Sequence, residues 1–209
     1  MPKLSCHQPN YFSNNNYFEK IKQSDIFVLL DDVQFEKNGF TNRNRIPTKN
    51  GDLWFTIPII HEEKQLIKDV KIAVDIWKEK HKRTIENIYG KSKFIEHFFD
   101  KESNYNYNSE KLIDWTWRSI LFVMSELNKI NNDCSAAFLK MKFSSELNIN
   151  TTGTQRIIDI CKYFKADTYL SGNGAKKYMD MELFEQNNII VEFMPEKYEP
   201  YSILNTILK

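Results

Sequence analysis

The sequence has no excess of charge of either sign. Its 29 lysines and arginines face 28 aspartates and glutamates, a formal +1. A chain that grips duplex nucleic acid through its overall field needs a basic surplus, so no DNA partner is expected. Long apolar runs are missing as well. Ile26 to Leu30 and Ile120 to Met124 fall far below the ~20 residues that span a bilayer, which predicts no membrane insertion. Met1 to Tyr11 lacks the cationic start and apolar stretch of a secretion signal, so the cytoplasm is the expected compartment. Cysteine is scarce: Cys6, Cys134 and Cys161 are odd in number and widely spaced, which fits neither a disulfide framework nor a paired zinc site. His61, His81 and His97 share no ligand spacing, and no metal is predicted. The dinucleotide and P-loop glycine fingerprints are absent, which argues against NAD and a Walker-type nucleotide site. No repeat, low-complexity tail or interdomain linker is evident.

What the sequence does contain is an alternation of strand-like and helix-like segments. Lys3 to Cys6 reads as a strand, Pro9 and the polar run Ser13 to Asn16 as a loop, and Asn16 to Ser24 as a helix with Tyr17, Phe18 and Ile21 on one face. Ile26 to Leu30 is a continuous apolar run of strand length, completing a parallel β-α-β opening whose ligands would sit beyond the carboxyl ends of the strands. Asn50-Gly51 predicts a hairpin turn before Leu53 to Ile57. Val70, Ile72 and Val74 alternate inward on a further strand, and Ile76 to Tyr89 and Lys93 to Lys101 read as helices with Gly90 as a cap between them.

After the polar break at Tyr105 to Asn108, Ser109 is expected to cap a long amphipathic helix reaching Ile130 and carrying Trp115 and Trp117 as core or subunit-contact residues. Phe138 to Phe143, Thr168 to Ser171 and Ile189 to Phe193 read as strands, with helices over Thr151 to Lys165 and Met181 to Gln186. The expected fold is a Rossmann-like α/β domain spanning 1–209: a mainly parallel sheet, a β-hairpin and a helical insert over about 76–130.

Four stretches carry candidate chemistry. His7-Gln8-Pro9-Asn10-Tyr11 places an imidazole, two amides and a phenol in a stiffened loop at a strand end, where His7 can exchange a proton near neutral pH; a merely hydrogen-bonded structural histidine is the competing reading. Asp31 and Asp32, followed by Gln34, leave the second strand on opposite faces, so that one binds a substrate amine or hydroxyl while the other caps a turn or pairs with an arginine. Arg43 and Arg45, flanked by Asn42 and Asn44, lie on one side of an extended segment and present planar forks suited to a pyrophosphate; the competing reading pairs them with Asp31 or Asp32. Ser171 and Gly172 open a turn whose backbone amides can face an anion, with Tyr178 following; a plain strand-to-helix turn is the competing reading. Cys6 and Cys161 are expected to be packing residues.

Taken in order, His7 to Tyr11, Ser24 to Phe35 with its Asp-Asp-Val-Gln-Phe end, Asn42 to Ile46 and Tyr169 to Gly172 resemble the WbqC-like family of bacterial surface-polysaccharide gene clusters. Phe55 to Pro58 and Ser144 to Leu147 extend the resemblance nearly end to end. It implies a role in O-antigen or related lipopolysaccharide biosynthesis, with aminoacyl (glycyl) or other acyl transfer to an amino sugar as the suggested activity. Two departures stand out: Phe12-Ser13 where relatives commonly have proline-tryptophan, and Asn205 where an aspartate is usual. The opening is also similar to nucleotide-binding synthetases of the HUP class, without their second histidine.

The resulting expectation is a transferase acting on the amine of a nucleotide-linked amino sugar. His7 is the base, Asp31 or Asp32 orients the amine, Arg43 and Arg45 hold the diphosphate, and Gln8, Asn10 and the Ser171-Gly172 turn face the carbonyl oxygen. No cofactor is fixed; ATP or an acyl-carrier thioester donor is compatible, as is a homodimer. An ATP-dependent nucleotidyl transferase or amino-acid-activating ligase and a non-catalytic scaffold of a polysaccharide assembly complex are the two alternatives.

Overall fold

The computed structural model describes residues 2–100, 108–131, 141–195 and 200–209. Its contacts divide the chain into two compact units. The first comprises 1–8, 16–31 and 134–198, the second 9–15, 32–133 and 199–209.

The first unit is built on a five-stranded parallel sheet. In chain order its strands are β1 (Lys3–His7), β2 (Ile26–Leu29), β7 (Met141–Phe143), β8 (Thr168–Ser171) and β9 (Ile190–Phe193), and they lie side by side as β7-β2-β1-β8-β9. Numbered within the sheet, the order is 3-2-1-4-5. Parallel neighbours require crossovers, supplied here by α1 (Asn15–Lys22), α5 (Gly153–Tyr163) and α6 (Met181–Gln186). Only the connection from β2 to β7 departs from this economy, because most of the second unit is inserted there.

Both faces of the sheet are covered, which is why β2 reads Ile-Phe-Val-Leu without polar alternation. Leu4, Cys6, Val28 and Tyr169 pack against Ile158 and Cys161 of α5 and Phe184 of α6. On the other face Tyr17 of α1 meets Phe27 edge-on at 5.6 Å. Burial in the first of these layers pushes the Cys6 thiol far above its ordinary value and Cys161 up to about 12, so both behave as small core hydrophobes.

The second unit contains the hairpin β3 (Arg43–Thr48) with β4 (Gly51–Thr56), the short antiparallel pair β5 (Ile59–Ile60) with β6 (Lys71–Ile72), and helices α2 (Trp77–Tyr89), α3 (Lys93–Phe98), α4 (Leu112–Asn131) and α7 (Leu204–Ile207). Thr48 pairs with Gly51, so the turn lies at Lys49–Asn50, one residue before the predicted pair, and Gly51 takes the positive φ of 107°. β6 ends at Ile72, and the alternation does not continue: Val70 and Ile72 are buried, whereas Val74 is 53% exposed. Gly90 ends α2 with φ 84° as expected of a C-terminal cap. Ser109 sits ahead of α4, accepting from the Lys111 amide and donating to Asp114.

Aromatic rings fill this unit's core. Trp77 and Trp115 meet edge-on at 4.8 Å, Phe98 lies 4.7 Å from Phe12, and Tyr11 packs on Phe55. Trp115 is therefore a core residue, only 1% exposed. Each such ring contributes roughly 2–3 kcal/mol by burial. Arg118 of α4 lies over the Phe98 and Phe122 rings and donates to the carbonyls of His97 and Phe98, covering the open end of α3.

No described helix is long and apolar enough to cross a membrane. The predicted break at Tyr105 to Tyr107, the first part of the Phe138 to Phe143 strand, and Cys134 lie outside the described residues.

Candidate functional site

The carboxyl ends of the parallel strands gather several of the candidate residues of the first unit. β1 and β2 stay paired through His7 and Leu29, and the Leu30 amide donates to the His7 carbonyl at 2.9 Å. The ladder between β1 and β8, by contrast, runs only through Lys3–Thr168 and Leu4–Tyr169. One position on, the Ser5 hydroxyl takes over by donating to the Leu170 carbonyl at 2.8 Å. Here the chain winds from β1 toward β2 on one side and from β8 toward β9 on the other, so the end of β1 with His7 and the end of β8 with Ser171 flank the point where the strand order reverses.

His7 stands half-buried at this point. Its Nδ1 lies 3.0 Å from the Gln8 carbonyl oxygen, which can only accept, so Nδ1 carries the hydrogen and Nε2 of the neutral ring keeps its lone pair. Tyr17 holds the ring edge-on at 4.9 Å and donates its own hydroxyl to the same carbonyl. Burial, and then the charge of Lys20, draws the imidazole down to about 4 against the pull of the Gln8 carbonyl. His7 is thus a neutral acceptor throughout the physiological range.

Lys20 is the residue that sequence reasoning missed. It is 5% exposed, donates to the Cys6 carbonyl at 2.8 Å, and is itself drawn down to about 8 by burial. A signal was present, since Lys20 stands three residues after Tyr17, inside the apolar stripe of α1.

The two aspartates divide as their positions on opposite faces suggest. Asp31 is buried and accepts from the Ser145 amide at 3.0 Å, the Ser145 hydroxyl at 2.7 Å and the Ser144 hydroxyl at 3.3 Å. It ties the end of β2 to the turn after β7. Asp31→Ala is expected to cost roughly 2–3 kcal/mol in urea unfolding, because three charge-assisted bonds, one of them from a buried hydroxyl, are lost together. Unchanged stability with lost turnover would instead give Asp31 a place at the substrate. Asp32, partly exposed and also engaged, belongs to the second unit.

At the end of β8, Ser171 is buried, with its hydroxyl toward the Gly172 carbonyl and the Met179 sulfur. Gly172 has an ordinary φ of −77°, and an added Cβ would meet nothing within 4 Å. It is the room beside this backbone, and no special conformation, that Gly172 provides. Tyr178 points outward at 84% exposure.

The remaining candidates lie in the second unit. Asn10 is buried, and Tyr11 is fully so, with its hydroxyl donating to Nδ1 of His81 at 3.2 Å. Asn44 supports the backbone: its amide donates to the Phe12 carbonyl at 2.8 Å, where Ser202 also donates and where φ is 40°. A bulky residue in that region is strained by about 1–3 kcal/mol, which these bonds and the Phe12 ring's burial offset. Gln34 is exposed and bridges to Leu66.

Arg43 and Arg45 share one side of β3, both lying over the Trp54 ring, at 4.4 and 5.6 Å. Their partners differ. Arg45 pairs with Asp52 at 2.7 Å, the carboxylate opposite Pro47 on β4, and also donates to the Pro200 carbonyl. Arg43 donates to the carbonyls of Asn38 and Gly39 and, with Asn42, lines a cavity of about 320 Å³. Asn205, the second departure from the resemblance, accepts from the Tyr89 hydroxyl. Among the described residues, no three His, Cys, Asp or Glu side chains gather as a metal-ligand set.

An uncharacterized protein of Mycobacterium tuberculosis is 27% identical over 215 aligned positions, covering 98% of this chain and 87% of its relative. No solved structure matches the chain. The family model of WbqC-like proteins matches residues 8–206, nearly the whole length, and the chain belongs to the WbqC-like protein family.

Proposed function

We propose that the protein is a transferase of bacterial surface-polysaccharide biosynthesis, moving an aminoacyl or other acyl group onto the amine of a nucleotide-linked amino sugar. The observation that carries this reading is His7: a neutral imidazole with Nδ1 committed to the Gln8 carbonyl and Nε2 left as an acceptor, at the end of the strand where β1 and β8 part. The 3-2-1-4-5 strand order supports a Rossmann-like reading of the first unit, in which ligands bind beyond the carboxyl ends at such a reversal.

In the proposed reaction the substrate amine attacks the acyl carbonyl. Its nitrogen grows more acidic as the C–N bond forms, and Nε2 of His7, held as a lone-pair acceptor, takes the proton in step with that bond. The Gln8 amide and the Ser171–Gly172 turn face the charge growing on the carbonyl oxygen. As the tetrahedral intermediate collapses, the bond to the donor breaks and His7 returns the proton to the departing donor atom. Asp31 serves the scaffold, through Ser144 and Ser145.

Thermal unfolding with dTDP- and UDP-linked amino sugars, their N-acetylated counterparts, free nucleotides and ATP tests the reading. An acceptor at about 100 times its dissociation constant adds roughly 2.7 kcal/mol and raises the midpoint by several degrees. The free-amine sugar nucleotides are expected to stabilise the protein. Stabilisation by ATP alone would replace this reading with amino-acid activation, and stabilisation by none of them would remove it.

A further inference from the structure

Within the second unit, we propose that the cavity beside β3 is a binding site for a small phosphate-bearing molecule. Its volume is about 320 Å³, within the range of small-molecule sites. Three nitrogen-bearing side chains, Arg43, Lys37 and His61, line it together with the amides of Asn38 and Asn42. Among the described residues no carboxylate lines it. Glu36, in the same loop, lies against Gly39 and outside the cavity.

Arg43 is the anchor of the argument. Its Nε donates to the Gly39 carbonyl at 3.3 Å and one Nη2 hydrogen to the Asn38 carbonyl at 2.6 Å, while the guanidinium plane rests on Trp54. Carbonyls and a ring face orient the fork without neutralising it, and among the described residues no carboxylate pairs with it. Arg45, two residues on, shows the contrast: Asp52 already balances its charge. A fixed, uncompensated guanidinium with Nη1 left over, beside a lysine and the Asn38 amide, is the donor arrangement that phosphate oxygens take, while the Asn42 amide holds the Ile57 carbonyl.

The cavity is larger than one phosphate group needs. Ile59 and the Phe35 ring, which lies 5.1 Å from His61, form an apolar wall for an uncharged remainder. This assignment does not depend on the transferase reading, since an anion site is present whichever reaction the first unit performs.

Titration calorimetry on the full chain tests it with three probes: inorganic pyrophosphate, a free nucleoside diphosphate and a nucleotide-linked amino sugar. At least one is expected to bind with an affinity that falls as salt rises. Arg43→Gln is expected to weaken that binding about tenfold or more, as loss of a charge-assisted pair predicts. Exposed Lys37 offers a second variant, Lys37→Gln, that leaves the hairpin intact and should weaken binding severalfold. Arg83→Gln, at an exposed ion pair with Glu79 on α2, should bind as the parent does. Pyrophosphate binding would assign the site to the phosphate chemistry alone, and selective binding of one larger probe would assign it to that source. Failure of all three probes, or equal binding by the parent and both cavity variants, overturns the proposal.

Discussion

Replacing His7 with alanine is expected to lower turnover by about 10²- to 10⁴-fold, the usual contribution of a positioned proton acceptor, while acceptor affinity changes little. The fold should tolerate the change. Gln8's carbonyl, which loses the Nδ1 hydrogen, still receives the Tyr17 hydroxyl, and the His7 carbonyl remains bonded to the Leu30 amide. The measurement is kcat and KM on an acceptor identified by thermal stabilisation, with the melting temperature of the variant alongside. Equal loss of binding and turnover would make His7 a substrate contact. Unchanged turnover together with a lowered melting temperature would make it a structural residue of the β1 end.

Much of the first unit is legible because parallel strands covered on both faces must be apolar throughout, and the helices between them must carry one apolar stripe. Ile26 to Leu29 and the Tyr17-Phe18-Ile21 stripe state this openly. The hairpin is legible through its turn chemistry, with an offset of one residue because Gly51 uses its positive φ as the first residue of β4 and Lys49–Asn50 form the turn. Val74 misleads because apolar alternation is only half of a strand. Ile59 and Ile60 supply partners for Ile72 and Lys71, and beyond them the chain turns toward α2.

The side-chain pairings are illegible for a different reason, since they join residues far apart in the chain. Asp31 takes its partners from positions 144 and 145, and the Tyr11 hydroxyl finds His81 some 70 residues away. No local pattern distinguishes Asp31 from Asp32, or Arg43 from Arg45. That distinction depends on Ser145 and Asp52, and so on the fold.

His81 shows how far such a pairing reaches, and it predicts acid sensitivity of the second unit. The ring is 3% exposed, enclosed by Tyr11, Phe55 and Trp77. Nε2 faces the Thr56 carbonyl at 3.2 Å and so carries the hydrogen, while Nδ1 accepts from Tyr11, whose hydroxyl burial keeps protonated. Burial draws the imidazole down from 6.5 to about 4, with the Thr56 carbonyl opposing and Lys80 assisting. Between those values the unfolded chain binds a proton that the folded one refuses, so stability rises with pH across the window and falls on acidification.

The gap corresponds to roughly 3 kcal/mol, fully present above about pH 6.5 and lost by about pH 4. All four tryptophans lie in the second unit, so urea unfolding followed by tryptophan fluorescence reports this unit alone. His81→Gln should cost about 1 kcal/mol at pH 7 through the lost Tyr11 acceptor, yet it should remove most of the decline between pH 6.5 and 4. Carboxylates titrate in both proteins, so the difference between parent and variant isolates the imidazole. Parallel pH curves would mean that His81 already accepts its proton inside the fold, and that the aromatic enclosure does not exclude water as tightly as its packing indicates.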